Sequence, residues 1–195
     1  RQVCEVHDGV SAFLNKASVV FVTFGSAWVY RHRKTGLDVG NCHKVAQSEF
    51  EKRLLSVTEI TAVYRELVAA LQQQYPQLRV VFTVSPVKHV RDGLLENLQS
   101  KSVLLLACME LARLRGISYF PAYELMTEDL RDYRFYEADM AHPNEQAVTY
   151  IWEKLSETIF SPVQQQLNTR ISALRNRQEH RALFPDSGEH KEFVE

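Results

Sequence analysis

The sequence predicts an α/β protein in which a mainly parallel β-sheet is layered with helices. Short, almost continuous apolar runs rich in β-branched and aromatic residues occur at 18–25, 79–86 and 116–123. Such runs are typical of strands that are buried on both faces. Helical patterns lie between these runs, and strands that alternate with helices indicate a parallel sheet in a layer sandwich.

The predicted strands end at residues that interrupt a β-ladder. "SVVFVTFG" ends at Gly25, and "RVVFTVSP" ends at Ser85 and Pro86. Proline cannot donate a hydrogen bond to a neighbouring strand, so it stops the second run. The third strand, "GISYFPAY", is shorter.

Three helices are predicted between and after the strands. The first covers 58–74, begins at a Thr58 cap and repeats apolar residues at helical spacing. The second covers 97–115 and ends before Gly116, a residue that commonly terminates helices. The third covers 143–160 and has a proline in its first turn.

The end of the chain differs from the rest. We expect a main domain at 1–160, a helical extension at 161–184 and a poorly ordered tail at 185–195. The extension either packs along the domain or protrudes from it, and a partner-binding helix is the alternative. Its narrow apolar stripe consists of Val163, Leu167, Ile171 and Leu174.

Composition narrows the class of protein. The chain has 195 residues, 45% of them hydrophobic and 24% charged, with a net charge of -1. This balance does not indicate a nucleic-acid binder, and no apolar run is long enough to span a bilayer. Its sparse cysteines, Cys4, Cys42 and Cys108, favour a reducing compartment such as the cytoplasm, and a secreted protein with free thiols is the alternative. We expect no cofactor and no metal.

Candidate chemistry lies in the loops after the strands, where open α/β sheets place their sites. One loop contains Asp139, His142 and Pro143 in the pattern D-x-x-H-P. A histidine can accept a proton on one ring nitrogen while a carboxylate holds the proton of the other. The alternative is structural, with His142 capping the helix and Asp139 accepting loop amides.

The loop after the first strand offers oxyanion donors. Gly25 can leave its backbone N–H free for a substrate oxygen, and the alternative is a tight turn that only glycine adopts. Ser26 follows it, but "GSAW" does not match a nucleophile elbow. Further on, the side-chain amide of Asn41 is a second candidate donor.

Two other arrangements are possible from the residues alone. Cys42 can meet His142 across the fold, as a cysteine hydrolase requires. A metal site that also uses His43 and His89 lacks the usual ligand spacing.

The loop "SPVKHVRDG" supplies charged and polar side chains. These either line a cleft for an anionic or sugar-like ligand or form a solvated connection. They are Lys88, His89, Arg91 and Asp92.

Five phrases in order resemble one known family. They are "VTFGSAWVY", "NCHK", "FTVSPVKHVRDG", "NLQSKSVLL" and "FPAYELMTEDLRDYRFYEADMAHPNEQAVTYIW". Together they resemble the GSCFA family, a branch of the SGNH (GDSL-like) hydrolases, over most of residues 1–160. The resemblance implies a three-layer α/β/α sandwich of the SGNH or flavodoxin-like type and esterase chemistry on a small-molecule ester, such as an acylated carbohydrate.

The resemblance also implies roles for individual residues. Asp139 and His142 match the orienter and general base, and Gly25 matches the glycine of the family's G-x-N block. The asparagine expected two residues after that glycine is Ala27 here, and Asn41 is proposed to replace it in space.

The nucleophile is not found in these residues. The Gly-Ser-Cys-Phe-Ala string that names the family does not occur in the 195 residues. We therefore expect the nucleophilic serine upstream of Arg1, with residues 1–160 as the C-terminal part of the hydrolase domain. The alternatives are a non-catalytic domain that binds carbohydrate or protein, and a hydrolase with Cys42 as nucleophile.

Overall fold

The structure is a computed structural model that describes residues 9–40, 42 and 44–179. The chain divides into two units, Arg1–Ala147 and Val148–Glu195, and the division falls within a helix. The predicted boundary after residue 160 stays a prediction. The tail predicted at 185–195 lies outside the described residues.

The predicted parallel sheet is present in the first unit. Its strands are β1 (Val19–Phe24), β5 (Arg79–Val84) and β6 (Ile117–Phe120), in the order β1-β5-β6. All three pair in parallel, with Val19 opposite Arg79 and Val80 opposite Ile117. Because β5 lies in the middle, every residue of that strand after Arg79 is buried. All three predicted strands are confirmed.

A second, antiparallel sheet was not predicted. It consists of β2 (Trp28–His32), β3 (Asp38–Val39) and β4 (Phe50–Leu54), in the order β3-β2-β4. Most of its residues are partly exposed, so the strands lack the continuous apolar runs of a buried sheet. Two arginines pair with Asp38 across it, Arg31 at 2.9 Å and Arg53 at 2.7 Å.

Helices complete the mixed α/β fold class that the sequence predicts. α1 (Val57–Gln74) and α2 (Leu94–Leu111) lie against each other, and α2 also contacts β5 and β6. After β6, the short helix α3 (Ala122–Glu124) continues as a π-helical turn at Leu125–Leu130. Besides a helical segment at 9–14, the remaining helices are α4 (Glu145–Ile159) and α5 (Pro162–Glu179).

The predicted helix ends need correction. α1 is capped by Ser56, not by Thr58: the Ser56 hydroxyl accepts the Glu59 N–H at 3.2 Å, and the Glu59 carboxylate accepts the Ser56 N–H at 2.8 Å. This reciprocal pair is a capping box. α2 ends at Leu111, and Gly116 lies in the turn before β6 with a φ of +77°.

The core of the first unit lies between α1, α2 and the parallel sheet. Phe24 and Phe82 stack with ring centroids 5.5 Å apart, and Tyr64 meets Phe24 edge-on at 4.8 Å. Cys108 is fully buried, and this burial raises the pKa of its thiol to about 12. The core therefore fixes the strands whose carboxyl ends carry the candidate site.

The second unit contains α5 and its apolar stripe. The stripe is exposed: Val163 retains 75% of its accessible surface and Leu174 retains 58%. A protein partner for this helix stays a prediction. No helix in the described part of the chain has the length and apolar content that crossing a membrane requires.

Candidate functional site

A cleft opens beyond the carboxyl ends of β1 and β5. It has a volume of about 850 Å³ and lies within the first unit. Separate stretches of the chain line it, so it depends on the tertiary fold. Its lining includes Ser26, Trp28, Cys42, His89, Asp139 and His142.

Asp139 and His142 contact each other directly at this cleft. The Asp139 Oδ2 lies 2.6 Å from the His142 Nδ1, and the Asp139 Oδ1 accepts the backbone N–H of Ala141 at 2.9 Å and that of His142 at 3.0 Å. Within the described ranges, no hydrogen bond occupies the His142 Nε2. An ionised Asp139 favours the tautomer with the proton on Nδ1, which leaves Nε2 able to accept a proton.

These hydrogen bonds also set the charge of Asp139. The backbone N–H groups of His142 and Ala141, followed by the His142 ring, lower the pKa of Asp139 to about 2. The carboxylate therefore stays ionised at neutral pH. Side-chain exposures of 59% for His142 and 50% for Asp139 leave both groups accessible from the cleft.

The backbone around His142 is held from both sides. The His142 carbonyl accepts the Glu137 N–H at 2.8 Å, and Met140 adopts a φ of +59° in the turn between them. Lys88, in the loop after β5, donates its backbone N–H to the Ala141 carbonyl at 3.1 Å. The histidine loop is therefore tied to the strand end that forms the other side of the cleft.

Asn144 caps the helix that follows His142. Its Oδ1 accepts the Ala147 N–H at 3.1 Å, and its Nδ2 donates to the Arg134 carbonyl at 2.7 Å. Pro143, predicted in the first turn, lies before the helix and forms an isolated bridge with Tyr136. The structural alternative in which His142 caps this helix is therefore incorrect, although Asp139 does accept loop amides as that alternative expected.

Gly25 lies between the sheet and a cleft histidine. An ideal Cβ at Gly25 would lie 3.6 Å from the His89 Nε2, which is an ordinary van der Waals distance. Its φ is outside the left-handed region. The alternative of a turn that only glycine adopts is therefore wrong. Glycine leaves a gap between the backbone and His89.

The structure describes only one of the two positions considered for an asparagine oxyanion donor. Asn41 lies outside the described residues, so its predicted role stays a prediction. Ala27 is fully buried, and its N–H donates to the Ser100 Oγ at 2.7 Å. The Ala27 side chain therefore does not reach the cleft.

The charged and polar residues predicted in the loop after β5 do line the cleft. Two of them already interact with neighbouring side chains. Lys88 lies over the Tyr136 ring at 3.8 Å, and Asp92 pairs with Lys52 at 2.5 Å. Cys42 lines the same cleft as His142. In the described part of the chain, no three His, Cys, Asp or Glu residues group in a way that could hold a metal, and His43 lies outside that part.

Sequence reasoning missed Lys101. Only 1% of its surface is exposed, and its Nζ donates to the carbonyls of Gly25 at 2.8 Å and Ser85 at 2.7 Å. Burial lowers the pKa of Lys101 to about 8. A signal was present in the sequence, because Lys101 shares helical spacing with Leu104 and Cys108 and so falls on the buried face of α2.

A family model described as the GSCFA family matches residues 1–155. That range contains both sheets, the cleft and the contact between Asp139 and His142. The chain matches no curated protein and no solved structure at a significant level.

Proposed function

Because the chain belongs to the GSCFA family, we propose that it carries the acid–base half of an SGNH-like serine hydrolase that cleaves ester bonds. The observation that carries this proposal is the 2.6 Å contact between the Asp139 Oδ2 and the His142 Nδ1 at an open cleft. A histidine oriented by a carboxylate, with its other nitrogen free, is the arrangement that activates a hydroxyl nucleophile.

In the proposed mechanism, the His142 Nε2 removes the proton of a serine hydroxyl as the oxygen attacks the ester carbonyl. The electron pair of the carbonyl bond moves onto its oxygen, and Asp139 stabilises the imidazolium. When the C–O bond to the leaving group breaks, His142 returns its proton to the departing alcohol. Water then attacks the acyl-enzyme through the same base, which releases the acid and the serine.

The proposed site also requires a nucleophile and oxyanion donors. We place the nucleophilic serine in sequence N-terminal to Arg1, in the Gly-Ser-Cys-Phe-Ala string of the family. Gly25 and Asn41 are proposed oxyanion donors. The aromatic rings of Trp28 and Tyr30 in the cleft lining support an acylated carbohydrate as substrate.

The test is labelling of the complete protein with a serine-reactive phosphonate, followed by identification of the labelled residue. We expect one labelled serine in the wild-type protein and loss of labelling in His142→Ala, because the hydroxyl then has no base. The control is His32→Ala, since this β2 histidine does not line the cleft. No labelling of the wild-type protein would contradict the proposal and favour a non-catalytic binding domain.

One observation favours a second candidate. Cys42 and His142 line the same cleft, so Cys42 is a candidate nucleophile within the chain. Thiol-selective inactivation that substrate prevents would support this reading. A Cys42→Ser variant that keeps full ester hydrolysis would exclude it, since serine and cysteine nucleophiles are rarely interchangeable within one site.

A further inference from the structure

A buried lysine holds the loop after β1 from the inside of the protein. The Lys101 Nζ donates to the Gly25 carbonyl and to the Ser85 carbonyl, and the side chain is 1% exposed. No carboxylate pairs with this ammonium group among the residues that the structure describes. Its partners are therefore the peptide groups that follow β1 and β5.

The bond to Gly25 fixes the direction of the next N–H. The peptide bond between Gly25 and Ser26 is trans, as are the other described peptide bonds. In a trans peptide, the C=O and the N–H point in opposite directions. Since the Gly25 carbonyl points inward to Lys101, the Ser26 N–H points away from Lys101.

Ser26 lines the cleft, and no acceptor for the Ser26 N–H is found in the described ranges. The second carbonyl that Lys101 holds belongs to Ser85, and the following residue, Pro86, has no N–H. Of the two peptides held by Lys101, only the one before Ser26 can therefore donate to a ligand.

Neighbouring hydrogen bonds keep this peptide from rotating. The Ser26 Oγ accepts the Trp28 N–H at 3.1 Å and lies 3.3 Å from the Ser100 Oγ. The Ser100 Oγ accepts the Ala27 N–H at 2.7 Å. The turn is thus fixed by two consecutive residues of α2, Ser100 and Lys101.

We propose that the Ser26 N–H is an oxyanion donor and that Lys101 is the positioning residue that directs it into the cleft. This rests on the proposed esterase function and adds a donor to Gly25 and Asn41. As the ester carbonyl becomes tetrahedral, its oxygen gains an electron pair and accepts the Ser26 N–H. The Lys101 hydrogen bond polarises the same peptide and makes its N–H a stronger donor.

The test compares the complete wild-type protein with Lys101→Met on p-nitrophenyl acetate and on its thiono analogue. Sulfur accepts hydrogen bonds weakly, so an oxyanion donor assists mainly the oxygen ester. We expect kcat on the oxygen ester to fall about 10²–10³-fold with little change in KM, as for loss of one oxyanion donor. The thiono rate should change little, so the ratio of the two rates falls by a similar factor.

A purely structural role for Lys101 would lower both rates together and leave their ratio unchanged, which would overturn the proposal. The control is Lys16→Met, the same substitution at an exposed lysine. If Lys101→Met does not fold, replacement of the Ser26 amide by an ester linkage removes the N–H while Lys101 remains. An unchanged rate ratio in that variant would also overturn the proposal.

Failure of the proposed esterase function can be distinguished from failure of the proposed roles of Ser26 and Lys101. A wild-type protein that hydrolyses neither ester contradicts the esterase function, and the oxyanion role with it. A wild-type protein that hydrolyses the oxygen ester, with unchanged ratios in both variants, contradicts only the roles of Ser26 and Lys101.

Discussion

Asp139 uses both of its carboxylate oxygens on His142. The Oδ2 contacts the ring Nδ1 at 2.6 Å, and the Oδ1 accepts the backbone N–H of the same histidine at 3.0 Å. One side chain therefore fixes the ring and the backbone of the candidate base together.

Asp139→Asn should remove catalysis while keeping the loop folded. The amide oxygen of the new side chain can still accept backbone N–H groups, but its NH₂ would face the His142 Nδ1. This pairing favours the tautomer with the proton on Nε2, which cannot accept another proton. We expect kcat for ester hydrolysis by the complete protein to fall roughly 10³–10⁴-fold. The variant should stay folded at the assay temperature, with a somewhat lower melting temperature because the stabilisation of the ionised carboxylate is lost. A loss below about tenfold would contradict the orienting role.

The pKa of Asp139 should be measurable by carboxyl NMR titration, with a midpoint at about 2 instead of its ordinary 3.8. Because the folded pKa is the lower one, the stabilisation is complete above about pH 4 and is lost as the pH falls through about 2. The unfolding free energy should therefore fall less steeply across that window in Asp139→Asn than in the wild-type protein. A midpoint near 3.8 would contradict the hydrogen bonds to Ala141 and His142.

Asn144→Ala should lower stability by about 0.5–2 kcal/mol, the usual cost of losing a helix N-cap. The substitution removes the bond from the Ala147 N–H and the bond to the Arg134 carbonyl. Urea denaturation measures the change. Asn15→Ala is the matched control. Among the described residues, the exposed Asn15 side chain bonds only to the Ser11 carbonyl in its own turn, so its loss should change stability by less than about 0.5 kcal/mol. Equal effects of the two substitutions would contradict the capping role.

Gly25→Ala should separate stability from activity. An alanine Cβ would meet the His89 Nε2 at 3.6 Å, and the backbone φ suits alanine. We expect unchanged stability or a gain of up to about 1 kcal/mol. Ester hydrolysis should fall about 10–100-fold, because the methyl group would displace the substrate carbonyl from the gap beside His89. Full activity in this variant would show that substrate does not use the gap.

The sequence predicts well those parts of the fold whose signal is local. β5 is a continuous apolar run because it is the middle strand and buries both faces. β1 carries a similar run, although Phe21 and Thr23 remain exposed. β2 and β4 are partly exposed, and their pairing joins Trp28 to Leu54 across an intervening segment that contains β3. No local pattern encodes that pairing, so the antiparallel sheet was missed.

The candidate site likewise combines a local signal with contacts that no local pattern encodes. Asp139 and His142 are three residues apart, so one loop brings them together and their motif is readable. Lys101 was missed because lysine is ordinarily exposed, and because its partners are backbone carbonyls 76 and 16 residues away. A hydrogen bond to a backbone carbonyl does not depend on the side chain of the partner residue, so it cannot be predicted from residue identity. The buried position of Lys101 on α2 was nevertheless readable from helical spacing.

The most direct test of the central claim is ester hydrolysis by the complete protein and by its His142→Ala variant, with His32→Ala as control. If His142 is the general base, kcat/KM falls by roughly 10³-fold or more in His142→Ala and stays at the wild-type value in His32→Ala. Equal rates for the wild-type protein and His142→Ala would contradict the assignment of Asp139 and His142 as the catalytic pair.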